Sequence, residues 1–172
     1  KLNVIIGANG AGKTSLLEMF DIISKGARQE LSNAIRDRGG VNDLLSIDIP
    51  ASNSILFCIK AAVDGYEDPL TYRIEIGRQG AGFVIVSETL SPFHRPNHPK
   101  PFMWIENTPG HPKYYNNEKN KLVAPSWEYE EKEPMLGQVP KTHENLERFR
   151  KLLSDTRFFT YLDVGKNSPV RM

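Results

Sequence analysis

The segment Gly7-Ala8-Asn9-Gly10-Ala11-Gly12-Lys13-Thr14 constrains this chain more than any other, because it fixes what must stand on both sides of it. It fills every fixed position of the pattern G-x-x-x-x-G-K-[ST]. Ahead of it, Leu2-Asn3-Val4-Ile5-Ile6 is short, apolar and largely β-branched, which predicts a buried strand ending at Gly7. Behind it, Leu16, Leu17, Phe20 and Ile23 recur at helical spacing and predict an amphipathic helix from Lys13 to near Gly26. Strand, glycine-punctuated loop and helix in that order make a phosphate cradle. The glycines let the backbone curl through conformations closed to other residues. The curl turns successive N–H groups inward as an anion nest, and the helix start aims a partial positive charge at the same point. The expected cradle is Gly7, Ala8, Asn9, Gly10, Ala11, Gly12, Lys13, Thr14 and Ser15. Lys13 is expected to reach the β- and γ-phosphates, Thr14 to ligate Mg²⁺, and Ser15 to touch the α-phosphate. The competing reading is a glycine turn that binds nothing; the flanking strand and helix argue against it.

The rest of the chain reads as a second helix and then a sheet. Arg28–Arg38 predicts a short helix with Leu31, Ala34 and Ile35 on one side, stopped by Gly39-Gly40. Ile55–Val63, Leu70–Ile76 and Phe83–Leu90 predict an antiparallel meander, with turns at Asp64-Gly65 with Asp68-Pro69, and at Gly77 with Gly80-Ala81-Gly82. Phe102–Glu106 reads as a further strand, and Thr108–Trp127 as a hairpin or insertion. The acidic run Glu128–Glu133 reads as a solvated surface. Thr142 is the expected N-cap of a helix over His143–Leu153, with Leu146, Phe149, Leu152 and Leu153 as its apolar stripe. Arg157–Leu162 reads as a last strand. The expected fold is therefore α/β: a P-loop unit in residues 1–50, an antiparallel β lobe in 51–140, and a helix and strand in 141–172, together one portion of a P-loop domain.

Composition narrows the partners. Lys plus Arg number 22 and Asp plus Glu 21, so the net charge of +1 excludes nucleic-acid binding by overall charge and leaves only a local patch. Lys25, Arg28, Arg36 and Arg38 form such a patch, which reads first as an ordinary solvated helix face. Trp104, Tyr114, Tyr115 and Trp127 read as packing of the small lobe rather than as a platform for bases. No apolar run is long enough to span a bilayer. The one cysteine, Cys58, sits in an apolar run and reads as a buried hydrophobe, which fits a reducing, cytoplasmic setting. His94 and His98 are separated by proline and read as an exposed loop rather than a metal site.

The variable positions of the loop carry a resemblance. Gly7-Ala8-Asn9-Gly10-Ala11-Gly12-Lys13-Thr14 resembles the G-x-N-G-[AS]-G-K-[ST] form of ABC-class ATPase heads, the group of RecF, SMC and related DNA-repair ATPases, and Leu2–Gly10 is similar to that group's "LNVLIGxNG". Ala34-Ile35-Arg36-Asp37-Arg38-Gly39-Gly40 resembles the "LRDxxRRGG" segment of a bacterial family of predicted AAA-family ATPases within it, and Val86–Leu90 resembles that family's "EEL" strand. The resemblance implies an ATP-binding head using Mg²⁺. It implies a head–head homodimer closed by ATP, work in DNA repair, DNA maintenance or defence, and a DNA or DNA-processing partner.

The departures bear on turnover. Phe158-Phe159-Thr160-Tyr161-Leu162-Asp163 is the nearest Walker B candidate, but Thr160 breaks its apolar run and Val164 stands where a Glu is needed. Leu153-Ser154-Asp155-Thr156 resembles the start of an "LSDG" signature without its glycine, and Gln29, Gln79 and Gln138 are the glutamines available for a Q-loop. The expectation is the N-terminal part of a longer head, cut at Lys1 and continuing past Met172, with hydrolysis in the complete protein. A GTPase fails on Asn120-Lys121, which lacks the following Asp of N-K-x-D. A P-loop kinase is disfavoured by the meander directly after the first helices, and a non-catalytic nucleotide-binding module stays open.

Overall fold

Alternating burial along the middle of the chain builds the sheet. The structure is a computed structural model that describes Ile6, Ala8 and residues 12–45, 53–92 and 102–156. Leu2–Ile5 of the expected first strand, the expected strand Arg157–Leu162, the loop with His94 and His98, and Asp163 lie outside the described residues. Six strands, β1 (Ser54–Ala61), β2 (Leu70–Gln79), β3 (Gly82–Pro92), β4 (Ile105–Asn107), β5 (Lys113–Asn116) and β6 (Lys121–Val123), pair in sequence order, every pair antiparallel. The fold is mixed α/β with an antiparallel meander, as expected. Residues 108–127 are part of that sheet, since β5 and β6 extend it.

One face of the sheet carries Phe57, Tyr72, Ile74, Ile76, Leu90, Ile105 and Tyr114, all buried in one core with the helices. These are α1 (Lys13–Gly26), α2 (Leu31–Arg36), α3 (Val41–Leu44), α4 (Met135–Gln138) and α5 (Glu144–Ser154). Keeping that face apolar along β3 requires a change of parity, because Phe83 and Ile85 are odd-numbered whereas Glu88 and Leu90 are even. A bulge supplies it: Glu75 pairs with Ser87 and Ile76 with Ile85, leaving Val86 as the extra residue. Gly77 makes room, since a Cβ there would lie 2.6 Å from Val86 Cγ2. Gly77 is therefore inside β2 and not in the turn; Gly80, at φ 60°, and Ala81 make the turn.

Four further expectations are corrected. Cys58 is exposed, because Phe57 takes the inward position and its neighbours point away. Glu133 is buried at 7% exposure, so the acidic run is not solvated throughout. Helix α2 starts at Leu31, Arg28–Gln29 forming a turn, though Leu31, Ala34 and Ile35 do face the core. Helix α5 has His143 rather than Thr142 at its N-cap and no side-chain cap; Arg150 takes the inward place expected of Leu152, which is 43% exposed.

Buried carboxylates hold the two layers together. Glu88, fully buried on β3, accepts the N–H groups of Met135 (2.6 Å) and Leu136 (3.0 Å), the Tyr72 hydroxyl (3.0 Å) and Asn107 Nδ2 (3.2 Å). Burial pushes its carboxyl up from the ordinary range, and the four donors pull it back part of the way. Glu88→Ala orphans all four donors and is expected to cost about 3–5 kcal/mol, read from urea denaturation. A loss below about 1 kcal/mol would show that the donors find other partners.

Asp21 titrates in the opposite sense. Burial alone would raise its carboxyl, but hydrogen bonds and charge from Arg38 and Lys25 outweigh this and hold it below the ordinary range. The folded chain thus binds this proton less tightly than the unfolded chain, so the stabilisation is fully present above the unfolded pKa and is lost as pH falls below it and through the lower folded pKa. The stability gap between wild type and Asp21→Asn should be wider at pH 7 than at pH 3.

Candidate functional site

Helix α1 begins in an unusual way for a 14-residue helix. Its N-cap is Gly12, at φ 78° and ψ 11°, a left-handed conformation that glycine adopts without penalty. Glycine has no side chain with which to cap it, and its first turn holds no acid. The first helical bond runs from Leu16 N–H to the Gly12 carbonyl, so the N–H groups of Lys13, Thr14 and Ser15 have no partner within the helix. A carboxylate or a Ser/Asp cap would ordinarily sit here. The sequence instead supplies a lysine, adding a cation to the positive end of the dipole. Lys13 Nζ donates to the Ala8 carbonyl at 2.6 Å, which folds its ammonium across the loop. Thr14 and Ser15 are exposed on the first turn.

Of the expected cradle, the structure thus places Ala8, Gly12, Lys13, Thr14 and Ser15 at one end of α1; Gly7, Asn9, Gly10 and Ala11 lie outside the described residues. The residues present fit a polyphosphate: backbone N–H groups, a lysine ammonium and an exposed threonine hydroxyl share one helix start. The clefts do not compete for it. One of about 310 Å³ beside α1 is lined by Ser15 but also by Glu18 and Asp43, whose carboxylates repel a polyanion. Another of about 490 Å³, between the end of β1 and α5, holds no residue of the expected phosphate cradle.

The remaining candidates resolve into structure. Gln29 Nε2 donates to the Gly137 carbonyl at 2.8 Å, and the Gln138 side chain both accepts from Glu130 N–H and donates to the Glu130 and Glu133 carbonyls. Gln79 ends β2 at the turn. Arg38 and Lys25 share Asp21, Arg28 pairs with Glu30, and Arg36 with Asp37, so three carboxylates offset most of the charge of the four cations. Tyr114 is buried against Trp127 and His143. Trp104 packs edge-on against Tyr66, Phe102 and Tyr115, which is the packing role expected of it. Ser154 closes α5 and Asp155 is its C-cap, so Leu153–Thr156 ends a helix. Sequence reasoning missed the buried carboxylates Glu88 and Glu133; an isolated Glu inside an apolar strand is the signal for the first.

The left-handed Gly12 that opens α1, Lys13 bonded to the Ala8 carbonyl and the motif they belong to are those of a P-loop nucleotide-binding ATPase domain. A family model described as "AAA domain, putative AbiEii toxin, Type IV TA system" matches residues 2–168, and the chain belongs to that family. No curated protein and no solved structure matches it. No helix among the described residues is long and apolar enough to cross a membrane.

Space and strain separate at Gly12. A Cβ there would meet nothing within 4 Å, so Gly12→Ala pays only for the left-handed backbone, about 1–2 kcal/mol. The expected result is a protein that folds with a lowered denaturation midpoint and unchanged m-value. A neutral outcome would show that the loop relaxes out of this conformation.

Proposed function

We propose that this chain is the ATP-binding head of a RecF/SMC-like ATPase, holding Mg-ATP at the start of α1. The observation that carries the reading is the helix start itself: left-handed Gly12, no acidic residue in the first turn, and Lys13 reaching across the loop. In this reading the backbone of Gly7–Gly12 cradles the phosphates, with Ala8, Asn9, Gly10 and Ala11 supplying N–H groups. Lys13 exchanges its bond to the Ala8 carbonyl for bonds to the β- and γ-phosphates, Thr14 holds Mg²⁺, and Ser15 meets the α-phosphate. Bound Mg²⁺ supplies charge neutralisation between the terminal phosphates.

Binding and turnover separate on the same residues. Ground-state binding has its parts in the loop, whereas hydrolysis needs a carboxylate to complete metal coordination and activate water. Asp163 is the nearest candidate. In the RecF/SMC-like class a second head supplies the signature motif, so a head–head homodimer is the proposed working form. DNA repair, DNA maintenance or defence is the proposed setting, in the cytoplasm, with DNA or a DNA-processing protein as partner. The family description names a toxin of a toxin–antitoxin system, which stands beside these as a setting. A non-catalytic nucleotide-binding module is the second reading, favoured by the absence of a well-formed Walker B run in the sequence.

Calorimetry with Mg-ATP tests the site. Wild type is expected to bind, Lys13→Ala to lose binding by at least about a hundredfold, and Lys13→Arg to fail as well, because a planar fork does not replace a compact ammonium in a tight nest. Unchanged affinity in Lys13→Ala would place the ligand elsewhere. Phosphate release by the 172-residue chain should stay near background. Robust release that disappears in Lys13→Ala would show that a carboxylate of this chain, Asp163 first among them, serves as a Walker B residue.

A further inference from the structure

The far end of the P-loop helix is held in an unusual way. Gln29, just past α1, has φ 62°, a left-handed conformation that costs a non-glycine residue energy. Its side chain donates to the Gly137 carbonyl in α4. The two backbones touch: a Cβ on Gly137 would lie 2.8 Å from the Gly26 carbonyl oxygen and 3.3 Å from Gln29 N, and one on Gly26 would lie 3.1 Å from Pro134 Cγ. Next along the chain, α2 has no cap of its own. Glu133 supplies one from a hundred residues away, its two oxygens accepting Leu31 N–H at 2.8 Å and Ser32 N–H at 2.9 Å.

The same short segment is fastened to the rest of the molecule by buried charge. Glu88 of β3 takes the first two N–H groups of α4, and Arg150 of α5 donates to the carbonyls of Gly137 (3.2 Å) and Val139 (2.7 Å). Arg150 is only 8% exposed and also pairs with Glu147. Residues 133–139 therefore contact the exit of α1, the start of α2, the sheet and α5 through directional bonds that tolerate little displacement.

We propose that residues 133–139 form a clasp that sets the orientation of the P-loop helix, with Gln29 and Glu133 as positioning residues for the phosphate loop about 20 Å away. This rests on the reading of the loop as an ATP site. Helix α1 is a rod whose one end presents Lys13 and the phosphate-binding N–H groups and whose other end sits in the clasp. Releasing the clasp lets the rod sample orientations in which those groups no longer converge. The apparent dissociation constant then rises by the inverse of the competent fraction. By linkage, bound ATP stabilises the closed clasp by the same factor.

Gln29→Gly is the discriminating variant. It removes the bond to Gly137 while relieving the left-handed strain, so its effects on stability oppose one another and the chain folds. ATP affinity, measured well below the unfolding transition, is expected to weaken about three- to tenfold, with a smaller ATP-induced rise in melting temperature. Glu133→Gln, which sets an amide N–H against an α2 N–H, should act in the same direction. Tyr114→Ala, which removes a buried β5 ring whose ring contacts are Trp127 and His143, should lower the melting temperature and leave affinity unchanged. Wild-type affinity in Gln29→Gly, or equal weakening in Tyr114→Ala, overturns the proposal. Hydrogen exchange without nucleotide provides a readout independent of ATP. Gln29→Gly should speed exchange of the α1 amides over those of β2 and β3, and unchanged α1 exchange overturns the clasp. A wild type that binds no ATP but shows this exchange pattern overturns the loop reading and the ATP linkage, leaving the mechanical clasp supported.

Discussion

Buried carboxylates bonded to backbone N–H groups are the interaction on which this structure depends. A short helix leaves its first N–H groups unsatisfied, and burying them unpaired is costly. Neither α2 nor α4 solves this with a local cap. Glu133 and Glu88 solve it from distant points of the chain, and each thereby joins two parts that sequence order keeps apart. Hydrophobic burial pulls the helices onto the sheet but leaves them free to slide. The carboxylate bonds are directional and fix where the helices stop.

The same accounting gives α1 its meaning. Carboxylates meet the starts of α2 and α4, and α3 and α5 carry Asp43, Glu144 and Glu147 in their first turns. The first turn of α1, by contrast, holds no acidic residue and opens with a lysine. In the proposed function, this helix end takes its negative charge from a bound phosphate. On that proposal a triphosphate would complete at α1 what Glu133 and Glu88 complete at α2 and α4.

Much of this was legible in the sequence, for identifiable reasons. The P-loop helix and the meander follow from periodicity, and the stop at Gly39-Gly40 follows from two glycines at φ 84° and 95°. The β3 bulge was not legible, because Val86 looks like any other strand residue and only the parity of Ile85 and Glu88 betrays it. Cys58 escapes a reading of its apolar run as uniformly buried, because β1 buries Phe57 and exposes Leu56 and Cys58. The acidic run was misjudged because five of its residues hide the sixth: Glu133 has the same composition cue as Glu130 and differs only in what lies above it. Long-range caps carry no local signature, so they escape any reading based on neighbours.

That distinction also explains why the family can be recognised while the chemistry stays divided. The loop is a local device whose residues are adjacent in the chain, so sequence alone displays it. Water activation is a non-local device. It requires a carboxylate brought to the loop by the fold, just as Glu133 is brought to α2 across a hundred residues. Such a group need not sit in a recognisable motif to act. Leu162-Asp163 is judged weak because Thr160 interrupts the run before it, yet a strand tolerates a threonine readily, and β-branched residues favour strands. The sequence argument against Asp163 is thus an argument about pattern. Distance from its oxygens to the Thr14 hydroxyl decides the role, since a working carboxylate must reach the metal proposed for Thr14 or the water in line with the γ-phosphate.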